Sequence, residues 1–164
     1  MKRLLVVGLS IALVYLVYTG TLSIVEVLIA IGIGFALSGI IGVDLVKDES
    51  KLNARRFFEA VKYTFKYFTI IEYLAHYSVV KAILSRDPGL KPAIVEVPYY
   101  VNSEIAIVTI ANSITNTPGT VVVDVDEKRK RFYVHWIFAE AFEGEEARKG
   151  VSAEFEDWAK KIFD

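Results

Sequence analysis

Residues 4–43 read LLVVGLSIALVYLVYTGTLSIVEVLIAIGIGFALSGIIGV, and this stretch sets the architecture of the N-terminal part of the chain. Glu26 is its one charged residue. About 20 consecutive apolar residues, each adding ~1.5 Å along a helix, cross the hydrocarbon core of a bilayer. The stretch is long enough to cross twice, and Thr19-Gly20-Thr21 supplies a turn in the middle. We therefore predict a helical hairpin in a membrane, with spans over about residues 4–19 and 22–43.

Basic residues stand at both ends of the predicted hairpin. Lys2 and Arg3 precede the first span, and four lysines and arginines follow the second within residues 44–56. Because cytoplasmic loops of membrane proteins carry an excess of Lys and Arg, we expect both ends on the cytoplasmic side of the cell membrane. A cleaved signal peptide is the alternative for the first apolar run. The lack of a small-x-small cleavage site before the second run argues against it.

The second span carries small residues four positions apart. Such residues let helix backbones approach closely in lipid, where the hydrophobic effect no longer drives helices together. We predict that they form a packing face for other membrane helices, although the ordinary enrichment of Gly and Ala in membrane spans would give the same pattern. The residues concerned are Gly32, Gly34, Ala36, Ser38 and Gly42.

Glu26, Glu72 and His76 are the candidates for a proton or cation path. A carboxylate at membrane depth is costly and often marks a pathway or a paired contact, although Glu26 is near enough to the turn to reach interfacial water. Glu72 and His76 are one helical turn apart, and histidine titrates near neutral pH, so this pair could relay a proton. A hydrogen-bonded structural pair is the alternative interpretation.

Residues 57–84 are predicted to form a third helix, rich in Phe and Tyr, which ends before Asp87-Pro88-Gly89. Glu59, Lys62 and Lys66 recur at three and four residues and share one face. The pattern fits an amphipathic helix lying in the membrane interface. It also fits a third span whose lysines reach the headgroups.

The predicted domains are a membrane part at residues 1–86, a linker at 87–92 and a small α/β domain at 93–164. The order of elements in the small domain is β-α-β-β-α, so the fold class is that of a membrane protein with an N-terminal helical hairpin, a third helix and a small α/β domain. The predicted strands cover residues 93–97, 120–126 and 131–137, and the predicted helices cover 104–113 and 145–163.

The composition excludes several kinds of chemistry. The chain contains no cysteine, so disulfides, iron–sulfur ligation and thiolate catalysis are impossible within it. Asp124 and Asp126 lie two apart and could bind a cation, but a solvated strand beside Lys128 and Arg131 is the favoured interpretation. His135 is interpreted as a hydrogen-bonded structural residue. A formal net charge of -1 gives no reason to expect nucleic acid as a partner. We expect no catalytic residue, no metal site and no cofactor.

The C-terminal part contains the runs IANSITNTPGT over residues 110–120, VDVD over 123–126 and YVHW over 133–136. These runs closely resemble a known family, the E subunits of multisubunit monovalent cation (Na+)/H+ antiporters of the Mrp or Mnh type. The order of the apolar hairpin, aromatic third helix and α/β tail is also similar, so the resemblance covers nearly the whole chain. We interpret the motif residues as structural. They are Asn112, Ser113, Thr115, Thr117, Pro118 and Gly119, then Asp124, and finally His135 and Trp136.

The resemblance implies a subunit of a large membrane assembly, in which other subunits carry the ion-translocating charges. The family also supplies modules to archaeal membrane-bound hydrogenases, whose redox centres would lie in partner subunits. We therefore expect a non-enzymatic structural and assembly subunit, with antiporter-type or hydrogenase-type membrane subunits and the lipid bilayer as partners. The alternatives are direct participation in proton or Na+ translocation, and a regulatory domain, for which no ligand motif is present.

Overall fold

The computed structural model describes residues 2–46 and 48–164, and the chain divides into two compact units after Ala54. This division differs from the predicted boundary after residue 86, because the third helix packs on the C-terminal domain. The predicted linker at 87–92 also joins that domain in part. Lys91 exchanges backbone hydrogen bonds with Ile137 and Ala139, at 2.9 and 3.1 Å.

The first unit is a hairpin of two helices, α1 (Lys2–Thr19) and α2 (Ile24–Leu45). Gly20 lies in the turn with a φ of 65°. Ser23 caps α2, because its hydroxyl oxygen accepts a hydrogen bond of 3.2 Å from the N–H of Glu26, which the first turn of a helix leaves free. By length and composition, Lys2–Thr19 and Ile24–Gly42 are suited to crossing a membrane. The observed bounds lie within two residues of the predicted ones.

A continuous helical segment opens the second unit. It consists of α3 (Ala54–Lys66), a π-helical turn (Tyr67–Ile71) and α4 (Glu72–Leu84). Its less exposed residues recur mostly every four positions, whereas an α-helix has 3.6 residues per turn. The row of less exposed residues would therefore rotate around the helix axis from turn to turn. The π turn contains more residues than an α-helical turn and reverses part of this rotation. One face of the segment therefore stays turned towards the rest of the unit along its length.

The C-terminal sheet has three antiparallel strands in the order β1-β3-β2. Side chains alternate between its two faces, so Val95, Val134 and Val122 form one row on the inner face while Ile94, His135 and Val121 form a row on the outer face. A bulge shifts the register between Val122 and Asp124. The strands are β1 (Ala93–Pro98), β2 (Thr120–Asp126) and β3 (Arg131–Trp136).

Three helices complete the domain: α5 (Glu104–Asn116), α6 (Gly144–Val151) and α7 (Ala153–Phe163). They pack against the inner face of the sheet, where Val95, Val97, Phe132 and Val134 are fully buried. Ile110 and Ile114 of α5 and Phe155 of α7 join this core.

The predicted single helix over 145–163 is divided in the structure. Ser152 leaves helical geometry at φ -129° and ψ -15° and separates α6 from α7. The break changes the direction of the chain, so that α6 packs against β1 while α7 packs against α5. The predicted helix over 104–113 extends to Asn116, and the order of elements becomes β-α-β-β-α-α.

Candidate functional site

The seam of the hairpin contains three of the five predicted small residues. Gly34, Ser38 and Gly42 are buried on α2, and the Ser38 hydroxyl donates a 3.1 Å hydrogen bond to the carbonyl oxygen of Leu4 in α1. Their packing partner is therefore α1 of the same chain. Gly32 and Ala36 point away from this seam and are exposed. Contact of these two residues with other subunits stays a prediction.

Glu26 lies in the first turn of α2 and is half-buried. Its Oε2 accepts a hydrogen bond of 3.0 Å from the hydroxyl of Tyr15 in α1. The N-terminal end of a helix also favours a negative charge. The carboxylate thus has a structural role in joining the two helices beside the turn.

Glu72 and His76 lie together on α4, in the second unit. The His76 Nδ1 atom is 3.3 Å from Glu72 Oε2 and 2.8 Å from the backbone oxygen of Glu72. The Glu72 side chain is 13% exposed, whereas that of His76 is 64% exposed. Within the part of the chain that the structure describes, Glu72 Oε1 is buried and has no hydrogen-bond partner. Sequence spacing therefore identified a pair that is in contact, but only its carboxylate is enclosed.

The third helix is attached to the domain through the family motif. The hydroxyl of Tyr63 in α3 lies 2.5 Å from Ser113 Oγ, and the Tyr67 hydroxyl contacts the Ser113 carbonyl and Asn116 Nδ2 at 3.3 and 3.1 Å. Burial raises the pKa of Tyr63 to about 12, although its hydrogen bond with Ser113 lowers it. Burial also raises the pKa of Tyr67. Both phenols therefore remain protonated and can act as hydrogen-bond donors.

Charged groups at both ends of α3 extend this attachment. Arg56 Nη1 donates a 3.1 Å hydrogen bond to the carbonyl of Ile162 at the end of α7, and Lys66 Nζ lies 2.5 Å from Glu154 Oε1. At the far end of the segment, Val79 of α4 lies beside Gly119, since a Cβ built on that glycine would be 3.8 Å from Val79 Cγ2. We call the surface formed by Arg56, Tyr63, Lys66, Tyr67 and Val79 the docked face.

The remaining hydroxyls of the motif connect α5 to β2. Thr115 Oγ1 accepts a 3.1 Å hydrogen bond from the N–H of Val122, and Thr120 Oγ1 donates at 2.7 Å to the carbonyl of Ile114. Thr117 Oγ1 donates at 2.7 Å to the carbonyl of Ser113. These contacts orient the turn at Pro118-Gly119. Asn112 is exposed and borders, with Tyr67 and others, a shallow cavity of about 440 Å³.

The last three motif residues lie on the sheet. Asp124 is exposed and accepts a hydrogen bond of 2.8 Å from the N–H of Val125. His135 is half-buried on the outer face, and Trp136 packs on the inner side next to Gly150. The motif residues thus lie in two places, one at the end of α5 and one on the sheet. They do not come together in a single site.

Glu156 is a buried charge that sequence reasoning missed. It is fully buried on α7, where Oε1 accepts from the N–H of Tyr100 at 2.7 Å and lies 3.0 Å from Lys160 Nζ. Its Oε2 accepts from Arg148 Nη1 at 3.0 Å. The spacing of Glu156 and Lys160 was a visible signal for an ion pair, but nothing in the sequence indicated complete burial.

The clusters described above are suited to packing and attachment. Over residues 2–46 and 48–164, the structure contains no group of three or more His, Asp or Glu side chains that could hold a metal ion. The buried carboxylate of Glu156 is bonded to two cations and a backbone N–H, and Glu26 is bonded to a tyrosine. Such arrangements hold elements in place.

Comparison with known proteins gives a consistent result. A family model described as a Na+/H+ ion antiporter subunit matches residues 8–162. The chain is 32% identical over 117 residues to the E subunit of the Na(+)/H(+) antiporter of Bacillus subtilis (strain 168), covering 66% of this chain and 71% of that protein. It is 34% identical over 64 residues to the corresponding E subunit of Alkalihalophilus pseudofirmus, covering 39% of this chain and 40% of that protein.

A solved structure shares the fold. One chain of the membrane-bound sulfane sulfur reductase, an archaeal respiratory membrane complex, superimposes with a TM-score of 0.83 at 22% sequence identity. The match covers 99% of this chain and 100% of that one.

Proposed function

Because this chain belongs to the family of Na+/H+ antiporter E subunits, we propose that it is a structural and assembly subunit of a multisubunit cation/proton-translocating membrane complex. The family resemblance expected from the motifs is confirmed, as is the expectation that the chain is a subunit of an ion-translocating complex and not itself an enzyme. In this proposal α1 and α2 span the cell membrane, and the C-terminal domain lies on the cytoplasmic side.

The surface of the hairpin carries this proposal. The two helices bury a narrow seam of small residues and leave large apolar side chains exposed around it, among them Leu13, Val17, Leu28 and Ile40. Lipid can cover such a surface, and other membrane helices can pack on it. An ion path through one hairpin would need several polar groups at membrane depth. Between residues 4 and 43 the only charged one is Glu26, which is bonded to Tyr15.

Removal of the chain tests the assembly role. The complex is solubilised in mild detergent, with and without this subunit, and its polypeptides are identified. We expect the large antiporter-like subunits to purify with this chain and to lose assembly or transport when it is absent. If the chain purifies alone while those subunits assemble and transport normally without it, the proposal is wrong. Iron–sulfur or nickel proteins among the partners would indicate a respiratory host complex.

Direct translocation is the second candidate, favoured by the burial of Glu72 Oε1 in a carboxylate that also contacts His76. The variants Glu26→Gln, Glu72→Gln and His76→Ala remove one candidate group each. Glu127→Gln, in the loop between β2 and β3, is the control for loss of a carboxylate. If the chain is a structural subunit, each of the three variants has the same Na+-dependent proton flux per assembled complex as the control variant. A selective loss of flux in an intact complex would favour translocation.

A further inference from the structure

We propose that the segment α3–α4 lies flat in the headgroup region of the lipid bilayer, with the α/β domain on its docked face and lipid on its opposite face. This proposal rests on the placement of the hairpin in the membrane under the proposed function. It selects between the interfacial helix and the third span that the sequence left open. It also places an even number of spans before the C-terminal domain.

The docked face is so long that the segment α3–α4 cannot be a third membrane span. It extends from Arg56, bonded to the end of α7, to Val79 beside Gly119. At ~1.5 Å per residue, these contacts occupy about 35 Å of helix. A span needs roughly 20 residues surrounded by apolar groups. No such length of this segment is free of the domain.

The partners of the docked face are also too polar for a hydrocarbon environment. If the segment crossed the bilayer, α7 would enter beside it, together with the Lys66–Glu154 pair. The Lys66 and Glu154 side chains are 41% and 49% exposed, so both are open to solvent. Transfer of such a pair, and of the neighbouring charges on α7, into hydrocarbon is strongly unfavourable.

The opposite face, which we call the outer face, is mostly apolar along the segment, and the exposed Thr69 and His76 lie among its apolar side chains. Contiguous apolar surfaces of this extent mark protein or membrane contacts. Phenylalanine and tyrosine supply half of it, and aromatic rings are enriched at the level of the headgroups. Its members are Phe57, Phe58, Val61, Phe65, Phe68, Ile70, Tyr73, Leu74, Tyr77, Val80, Ile83 and Leu84, each at least 49% exposed.

Two further features favour lipid as the occupant of the outer face. Exposed basic residues flank it, namely Arg55, Lys62, Lys81 and Arg86, and these can reach anionic headgroups while the rings enter the acyl boundary. Only residues 46–53 separate α2 from α3. Eight residues span at most about 27 Å, so a connection of this length lets α3 reach the headgroup region of a bilayer that the hairpin crosses.

The absence of native cysteine allows a direct test of sidedness. Single cysteines replace Thr21, Asn53 and Asp87 in the chain within its complex, and membrane-impermeant thiol reagents are applied to right-side-out and inverted membranes. We expect residues 53 and 87 to be labelled from one side and residue 21 from the other. Labelling of 53 and 87 from opposite sides would overturn this proposal. Labelling of 21 and 53 from the same side would instead refute the hairpin placement.

Depth measurement tests the occupant. Spin labels are attached to Phe58→Cys, Phe65→Cys, Tyr73→Cys and Ile83→Cys of the full chain in vesicles of phosphatidylcholine and phosphatidylglycerol. We expect all four to collide with oxygen more often than with a polar nickel chelate, at similar shallow depths, and Lys128→Cys in the β2–β3 loop to show the reverse preference. A depth that peaks in the middle positions would indicate a span. No preference for oxygen would indicate a protein partner. Either result overturns the proposal.

Discussion

Gly34 of α2 packs directly against the backbone carbonyl of Gly8 in α1. A Cβ built at residue 34 would overlap that oxygen and would lie 3.2 Å from the Cβ of Ala12. The helices therefore approach as closely as two backbones allow, which is the kind of contact that holds helices together in lipid. By contrast, a Cβ built on Gly32 meets nothing within 4 Å among the described residues.

Gly34→Ala is expected to push the two helices of the hairpin apart and to destabilise it. The added methyl has no space beside Gly8, and overpacking of this kind costs about 1–3 kcal/mol. The midpoint of thermal aggregation of the full chain in detergent should fall. Gly32→Ala is the matched control and should leave the midpoint unchanged, because its methyl projects outward. Equal midpoints for the two variants would contradict the assignment of the seam.

Glu156→Gln is expected to destabilise the C-terminal domain by about 1–3 kcal/mol, because the fully buried side chain loses its charge-assisted hydrogen bonds to Lys160 and to Arg148, which keeps Glu145 as a partner. Both tryptophans of the chain, Trp136 and Trp158, lie in this unit, so denaturant unfolding followed by their fluorescence measures the change. Glu154→Gln removes an exposed ion pair and should cost at most about 1 kcal/mol. Similar losses for the two variants would show that burial of Glu156 is unimportant.

The attachment of α3 should weaken at alkaline pH. Burial raises the pKa of Tyr63 from 10.0 to about 12, so the folded state holds this proton more tightly than the unfolded state does. The stabilisation is complete below pH 10 and is lost as the pH rises towards 12. Tryptophan fluorescence should therefore show a falling free energy of unfolding over this interval. The fall should be smaller in Tyr63→Phe, and an unchanged slope in that variant would argue against the prediction.

Gly119→Ala is expected to destabilise the domain by about 1–3 kcal/mol. Gly119 has a φ of 101°, which side chains rarely adopt, and a Cβ there would lie 3.4 Å from Ile137 Cγ1. Gly89→Ala is the control, because Gly89 also has a positive φ, of 62°, but has open space around it. Unfolding monitored by tryptophan fluorescence should show a larger loss for Gly119→Ala. The reverse order would contradict the role assigned to the motif turn.

Local patterns explain how much of the fold was predictable. The hairpin follows from two apolar runs and a Gly turn, and the strands follow from β-branched and aromatic runs. The predicted bounds of β2 and β3 agree with the structure to within one residue. The division at Ser152 was not predictable, because the apolar stripe around Val151 and Phe155 continues across it. Only packing against β1 on one side and α5 on the other requires the break.

For the candidate site residues too, the sequence predicted local spacing but not the surfaces that these residues contact. The spacing showed that Gly34 and Ser38 share one face, but it did not show which helix they would meet. It also paired Glu72 with His76 without revealing that only Glu72 is enclosed. The docked face was hidden because it is formed by polar residues such as Tyr63, Lys66 and Tyr67. In a sequence, such residues look like a surface exposed to water.

Residue order was therefore enough to establish the apolar length of the hairpin, the order of most elements, the family and the absence of thiol chemistry. These properties depend on composition and on contacts between near neighbours. The folded chain was needed to show that Glu156 has its counter-charges, that Gly34, Ser38 and Gly42 of α2 pack on α1, and that the third helix joins the domain. Periodicity shows which residues share a face, but the surface that the face meets depends on residues distant in the chain.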